Sequence, residues 1–254
     1  MKVSIVTVCY NSAATIAEAM ASVLNQSWPD IEYIVVDGGS TDGTQSVIRS
    51  FEASFERRLH WISEPDRGIY DAMNKGIRLA TGDVVGILNS DDTMASPDVI
   101  RHMVEAFDDD VDAVYGDVRY VKASHPEKCV RFYSSRWFRP SLLSYGFMPH
   151  HASFYARRAL FDKLGYYDAS YLISGDFELV ARFIGVHKIR TRYIHQTFVS
   201  MRIGGVSTRG FSSLRVGTEE DLRALHDLKI PTNWFKVWIG KYVIKTLSML
   251  LIRE

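Results

Sequence analysis

The sequence predicts an α/β protein: a mostly parallel central sheet covered by helices, followed by a helical extension. Two observations carry that expectation. Apolar runs at residues 3–8, 31–36 and 84–88, rich in Val and Ile, read as buried strands, and residues 59–63 read as a further strand among them. Between them lie segments whose apolar residues recur at helical spacing, and such alternation gives parallel pairing with helices on both faces. A third observation places the chemistry. The runs end in Gly, Ser, Asn and Asp, and open α/β sheets bind ligands outside the carboxyl ends of their strands.

The first strand ends in Cys9-Tyr10-Asn11, and Ser12 is a good helix N-cap. Ile16, Met20, Val23 and Leu24 form the apolar stripe of the helix behind it. The second strand runs into Asp37-Gly38-Gly39-Ser40-Thr41-Asp42-Gly43-Thr44, where Thr41 or Asp42 caps the next helix. That helix carries Val47, Ile48, Phe51 and Phe55. The third strand leads into Glu64-Pro65-Asp66-Arg67-Gly68 and a helix that turns Met73, Ile77 and Ala80 inward. Ser96-Pro97-Asp98 opens a further helix, with Ser as cap and Pro in the first turn. After it the alternation breaks. Residues 113–115, 118–121, 129–133 and 153–156 read as short strands of a mixed or antiparallel part. Residues 157–164 and 177–184 read as helices, and 189–194 and 198–203 as late strands. The compact domain is expected to end between Gly204 and Gly210. This gives one domain over 1–208, with a regular half at 1–95 and an irregular half at 96–208, and an extension over 209–254.

Composition bounds the function. The chain has 254 residues, 46% hydrophobic and 24% charged, as an ordinary globular protein has. Its formal net charge is zero, which argues against nucleic acid as a partner. The two cysteines, Cys9 and Cys129, form no disulfide framework and fit a reducing compartment, so a cytoplasmic location is expected. The apolar run after Met1-Lys2 is too short for an export signal, and no stretch is long enough to span a bilayer.

The stretch Gly82-Asp83-Val84-Val85-Gly86-Ile87-Leu88-Asn89-Ser90-Asp91-Asp92 carries the strongest chemical signal. Two adjacent carboxylates at the end of a buried strand are not core residues, because burying an unpaired charge is prohibitive. Such a pair suits a hard divalent cation completed by substrate phosphates. The alternative is an Asp-rich turn that caps its own backbone. The Asp37 loop exposes backbone N–H groups to a ligand. It is neither a Walker loop nor a dinucleotide fingerprint, since GxxxxGK[ST] and GxGxxG are both absent, which disfavours P-loop phosphate transfer and nicotinamide chemistry.

Taken as an ordered set, these motifs resemble family 2 glycosyltransferases, nucleotide-sugar enzymes of the GT-A fold with a Rossmann-like nucleotide-binding domain. The set is Thr7-Val8-Cys9-Tyr10-Asn11, the loop from Val36 to Thr44, Tyr70-Asp71-Ala72-Met73-Asn74-Lys75-Gly76, Gly82-Asp83 and Leu88-Asn89-Ser90-Asp91-Asp92. The resemblance covers about residues 1–207. Glu64-Pro65-Asp66-Arg67-Gly68 and Gly204-Gly205-Val206-Ser207 look most like bacterial colanic acid and O-antigen enzymes.

The resemblance implies roles residue by residue. Thr7, Cys9, Tyr10, Asn11 and Asp37 line the base and ribose pocket, and Asp66 sits over the base. Asn89, with Ser90, begins the family's Asp-x-Asp, and Asp91 ends it as the ligand of Mg2+ or Mn2+ on the diphosphate. Asp92 is a neighbouring ligand, whereas Asp83 is structural. Asn89 stands where the family has an acid, and the His usual near the end of the domain is absent before Ser207, which leaves the remaining ligand unassigned, with His195 either a candidate for it or a hydrogen-bonded structural residue. Ser174-Gly175-Asp176 matches the acceptor-side motif, with Asp176 as the catalytic base and Gly175 in a Glu position. Pro149-His150-His151-Ala152-Ser153-Phe154 matches the acceptor half. One of His150 and His151 touches the acceptor or a phosphate, and the other packs. The only Arg-Trp, Arg136-Trp137, precedes the base and lacks the Gln of processive synthases, so single-sugar transfer is expected.

The implied reaction is inverting transfer of one sugar from a UDP- or GDP-sugar to a hydroxyl of a glycan or glycolipid acceptor. Two other classes compete: a non-catalytic nucleotide-sugar-binding scaffold, and a sugar-phosphate nucleotidyltransferase. The first would have lost the base or the metal acids, and the second would show a Gly-rich loop where Cys9-Tyr10-Asn11-Ser12 stands. In the extension, 218–228 reads as a charged surface helix, and 234–252 is apolar on most sides. Residues 229–253 hold five basic residues and no acidic one. That pattern suits the surface of an anionic membrane, peripheral on the inner face of the cytoplasmic membrane. The alternatives are packing on the catalytic domain or on a second subunit, as in a homodimer.

Overall fold

The computed structural model describes residues 1–203 and 210–250, without the side chains at 210–214, 244–245 and 247–250. Its first half is the expected parallel unit. Strands β1 (Val3–Cys9), β2 (Ile31–Asp37), β3 (Leu59–Ser63) and β4 (Val84–Ile87) pair in the order β3-β2-β1-β4, all parallel. Helices α1 (Ile16–Leu24), α2 (Thr44–Ser50), α3 (Glu52–Phe55) and α4 (Ile69–Leu79) connect them. Side chains alternate across each strand, so one face of β1 and β2 sends Val6, Val8, Ile34 and Val36 to a core shared with Met73 and Ile77 of α4. The other face sends Ile5, Tyr33 and Val35 to a core shared with Ile16 and Met20 of α1. Each such aliphatic side chain stabilises the fold by about 1.5–3 kcal/mol. Gly76 lets α4 lie on the sheet, because a Cβ there would collide with Val6.

The second half continues the same sheet with mixed directions. It adds β5 (Thr93–Met94), α5 (Val99–Glu105), β6 (Ala113–Lys122), β7 (His125–Tyr133), β8 (Phe154–Arg157), α6 (Ala159–Leu164), α7 (Gly175–Val180) and β9 (Thr191–Arg202). The strand order is β3-β2-β1-β4-β8-β6-β9-β5, with β7 paired to β6. Strand β8 is antiparallel to both β4 and β6, whereas β6 and β9 are parallel. The fragments expected at 113–115 and 118–121 are one strand, and those at 189–194 and 198–203 are another. Register shifts across Gly116 and Asp117 interrupted the pattern without ending the pairing.

Three capping expectations are corrected by the structure. Neither Thr41 nor Asp42 is the N-cap of α2, which is Gly43, although the Asp42 carboxylate accepts the N–H of Thr44, the first helical residue, at 3.0 Å. Ser12 does not cap α1: its carbonyl accepts the N–H groups of Thr15 and Ile16, so the helix begins a turn later. Ser96 lies outside α5, which starts at Val99 after Asp98. Asp83 is structural, accepting the N–H of Lys2 at 2.8 Å.

The extension forms α8 (Gly210–Asp227) and α9 (Trp234–Leu250). Helix α8 is not a purely solvated surface helix. Ala224 and Leu225 are fully buried in the core shared with α4 and α7, as is Val237 of α9. Lys241 of α9 pairs with Asp221 of α8 at 2.6 Å, and Thr232 donates to the carbonyl of Ser144 at 2.6 Å. Burial pushes the Asp221 carboxyl up to about 6, against the pull of Lys241. Both helices therefore pack on the α/β domain. The expected boundary and the Gly204-Gly205-Val206-Ser207 motif lie outside the described residues for 204–209, as do 251–253 of the basic segment. Among the described residues, no helix is long and apolar enough to cross a membrane.

Candidate active site

The loops after β1, β2 and β4 are stitched together at the carboxyl edge of the sheet. Asn11, in the left-handed region at φ 50°, donates its N–H to Ser40 Oγ at 2.7 Å and accepts from Thr41 N–H at 3.0 Å. Ser12 N–H donates to Thr44 Oγ1 at 2.8 Å, and the hydroxyls of Ser12 and Ser90 lie 3.0 Å apart. Tyr10 projects from this edge, 65% exposed. A Cβ at Gly38 would lie 3.0 Å from Asp66 Oδ2 and 3.4 Å from the Tyr10 ring, so Tyr10, Gly38 and Asp66 bound one space. Lys75 holds Asp66 at 2.6 Å and Glu64 at 2.9 Å, which accounts for the Lys of the Asn74-Lys75-Gly76 motif.

Two residues expected in the base and ribose pocket are closed off. Thr7 is fully buried, and its hydroxyl accepts a hydrogen bond from Tyr33 at 2.9 Å. Asp37 is fully buried too. Its carboxylate accepts from Ser40 N–H at 3.0 Å, Ser63 Oγ at 2.6 Å, the Ser40 hydroxyl and, weakly, the Cys9 thiol. Asp37 thus shapes the loop after β2. Burial, with Asp37 beside it, pushes the Cys9 thiol far up, so Cys9 is a neutral wall.

Asp91 and Asp92 differ sharply. Asp92 is 1% exposed and accepts from Asn89 Nδ2 at 2.9 Å and from the backbone N–H of Arg202 at 3.3 Å. Burial, reinforced by the negative charge of Asp91, pushes its carboxyl up to about 7. Asn89 therefore turns its amide to Asp92, and an Asp there would add a third carboxylate to the cluster. The half-buried Asp91 carboxylate makes no hydrogen bond or ion pair among the described residues. An unpartnered carboxylate beside a second one that resists ionisation is a donor set a divalent cation relieves. Among the described residues no three His, Cys, Asp or Glu side chains are placed to hold a metal ion together. Two carboxylates, leaving the other positions to phosphate oxygens and water, are the usual protein share for Mg2+-like ions.

Asp176 and His151 form a pair, with His151 Nδ1 to Asp176 Oδ2 at 2.9 Å. Asp176 Oδ1 accepts the N–H of Phe177 at 2.9 Å and lies 3.4 Å from the Tyr70 hydroxyl. Burial alone would raise the Asp176 carboxyl, but His151 beside it and these hydrogen bonds hold it below the ordinary range. Burial works to lower His151, and the neighbouring Asp176 and Asp92 carboxylates outweigh it and raise it. Burial pushes His150 down to about 3. Its ring lies edge-on to Tyr133, stacks at 5.0 Å on His151 and shares a 3.1 Å hydrogen bond with the Tyr120 hydroxyl. His151 is thus the histidine that meets charge, and His150 is packing. The Gly175 departure also has a reason: a Cβ there would meet the Tyr70 ring at 2.8 Å.

The pair has a pH signature. Asp176, depressed, contributes stability above its unfolded value of 3.8 and loses it as pH falls through its folded value. His151, raised, contributes below its unfolded value of 6.5 and loses it as pH rises through its folded value. The difference in melting temperature between wild type and His151→Asn should therefore be widest between about pH 4 and 6.5. A difference that is flat across pH 3–9 contradicts the pairing.

The sequence profile described as glycosyl transferase family 2 matches residues 4–165. The chain belongs to that family. It is 34% identical over 212 residues to a PGL/p-HBAD biosynthesis glycosyltransferase of Mycobacterium bovis, covering 80% of this chain and 78% of that one. It is 35% identical over 185 residues to the glycosyltransferase Rv1514c of Mycobacterium tuberculosis, covering 71% of this chain and 68% of that one. In fold it is similar to S. aureus TarS 1–349 in complex with UDP-GlcNAc, with a TM-score of 0.67, 16% identity and coverage of 100% of this chain and 76% of that one. It spans 39% of the longer TarS chain. It is also similar to the Pyrobaculum calidifontis mannosyltransferase PcManGT in complex with GDP-Man and Mn2+, with a TM-score of 0.67, 22% identity and coverage of 98% and 72%. The architecture is the GT-A fold of family 2 glycosyltransferases.

In this family 2 glycosyltransferase, sequence reasoning missed two site neighbours. One is Arg202, whose backbone binds Asp92 while its side chain pairs with Glu18. The other is Tyr70, which touches the Asp176 segment. No sequence spacing links residues so far apart. The candidate His195 is exposed beside Tyr193 and joins no cluster with Asp91 and Asp92.

Proposed function

We propose that this glycosyltransferase moves one sugar, with inversion and without processivity, from a UDP- or GDP-sugar to a hydroxyl acceptor. The acceptor class is a lipid-linked glycan of bacterial surface polysaccharide synthesis. The observation that carries the reading is the Asp176–His151 pair, because a carboxylate held ionised and half-closed from solvent is a base ready at neutral pH. Asp176 accepts the proton of the acceptor hydroxyl as that oxygen attacks the anomeric carbon, and the nucleoside diphosphate leaves from the opposite face. His151 orients Asp176 and keeps it ionised until the proton arrives. Tyr10 stacks on the base, Asp66 faces its edge, and the loop of Asn11, Gly38 and Ser90 lines the ribose and phosphates. Asp91, with Asp92, would hold Mg2+ or Mn2+, which as a Lewis acid stabilises charge on the departing diphosphate. The complexes of the similar folds with UDP-GlcNAc and with GDP-Man and Mn2+ support a donor and a cation of these classes. Nucleotide release from a panel of UDP- and GDP-sugars, with and without Mn2+, tests the reading. Release from none overturns it.

The location we propose is the cytoplasmic membrane surface, reached through α9. Its outer side stacks Trp234 on Trp238 at 5.9 Å and Trp238 on Tyr242 at 5.8 Å, with Phe235 and Val243 also exposed. An uncharged aromatic face beside Lys236, on a helix without acidic residues, suits the interface of an anionic bilayer. Truncation near Gly210 is the wrong test, since it would also remove Ala224 and Leu225 from the core. The full chain should float with phosphatidylglycerol vesicles and not with phosphatidylcholine alone, and Trp234→Ala/Trp238→Ala should stay at the bottom. Wild type that stays at the bottom with both lipids rejects the membrane location.

A further inference from the structure

The segment between α6 and α7, which delivers Asp176, has no helix or strand of its own from Gly165 to Ser174. Its last three residues are held from outside by one side chain of α8. Glu220 Oε1 accepts the N–H of Leu172 at 2.8 Å, and Oε2 accepts those of Ile173 at 2.8 Å and Ser174 at 2.9 Å. Ser174 Oγ donates to the carbonyl of Gly217 at 3.1 Å, one turn earlier on the same helix. From the opposite side the Tyr70 hydroxyl donates to the carbonyl of Ile173 at 2.5 Å. Further back along the segment, Arg223 of α8 donates to Ser170 Oγ at 2.6 Å.

This arrangement asks for a carboxylate. Three consecutive backbone donors converge on one side chain, and only a group with two acceptor oxygens serves all three. No cation is paired with Glu220 among the described residues, so its charge is met by these N–H groups. Asp176 follows Ser174 by two residues, and the grip fixes where α7 begins. A displacement of about 1 Å at a reacting group is worth about 10²-fold in rate.

We propose that Glu220 is a positioning residue for the proton-accepting Asp176, so that α8, beyond the matched family region, is part of the catalytic apparatus. The inference rests on the reading of Asp176 as base. Glu220→Gln is the decisive variant, since it keeps size and one acceptor oxygen while losing at least one of the three bonds. It should lower kcat about tenfold, and Glu220→Ala about 10²-fold, with UDP or GDP affinity unchanged. Amide exchange at 172–174 should speed up in both. Glu220→Ala combined with Asp176→Asn should be no slower than Asp176→Asn alone, because the two act as one unit. Wild-type kcat in Glu220→Gln with faster exchange would show that the grip is only structural and overturns the proposal. Full additivity in the double variant overturns it as well. Failure of the base reading shows separately, as normal turnover in Asp176→Asn alone.

Discussion

Asp176→Asn is expected to lose about 10² or more in kcat while binding UDP or GDP as wild type does. Asn keeps the shape of the side chain and its acceptor oxygen for Phe177 N–H, but it cannot take up the acceptor proton. A structural role for this Asp has less room than its place near a helix start implies. Ser174 is the capping residue of α7, and Asp176 lies within the first turn, bonded to the next N–H and to His151. Losing the His151 pair lowers the melting temperature without unfolding the site, because the segment is still gripped by Tyr70 and Glu220. Loss of nucleotide affinity together with turnover would instead indicate a collapsed pocket. Near-normal turnover would remove Asp176 from the mechanism.

Asp91→Ala should abolish the part of UDP or GDP affinity that depends on Mg2+ or Mn2+, weakening binding by at least about tenfold in the presence of the cation. Without the cation, wild type and variant should bind alike, since Asp91 makes no hydrogen bond or ion pair among the described residues for the change to disturb. Calorimetric titration in both conditions reads this directly. Equal affinity with and without the cation in wild type would take the metal out of the account. Asp92 is the poorer site for this test. Its bonds to Asn89 and to the Arg202 backbone tie β4 to the end of β9, so its loss mixes binding with stability.

The parallel half of the fold was legible because buried strands leave unbroken runs of Val and Ile, as in β1 and β2, and because amphipathic stripes such as Met73–Ile77 keep helical spacing. The acidic end of β4 was legible for the same reason, standing out against an apolar run. Strand β5 was not, since two residues carry no period. Strand β6 was read as two pieces because Gly116 looks like a break. It is Gly because the Phe198 ring and the Gln196 carbonyl occupy the place of its side chain. Site residues split along the same line. Tyr10, Asp66, Asp91 and Asp176 stand in sequence motifs, and the structure sets them in half-open or exposed places. Thr7 and Asp37 stand in motifs too, but burial is a tertiary property and closes them off. The His151–Asp176 pair and the Glu220 grip join residues 25 or more positions apart, where spacing holds no information.

On the proposed mechanism labour is divided, with Asp91 serving the donor and Asp176 the acceptor proton. Its most direct test is nucleotide release from the active nucleotide sugar, measured alongside nucleotide affinity in wild type, Asp91→Ala and Asp176→Asn. Both variants should release slowly, Asp91→Ala alone should lose cation-dependent affinity, and Asp176→Asn should bind as wild type. Wild-type release in Asp176→Asn, or the same loss of affinity in both variants, would contradict that mechanism.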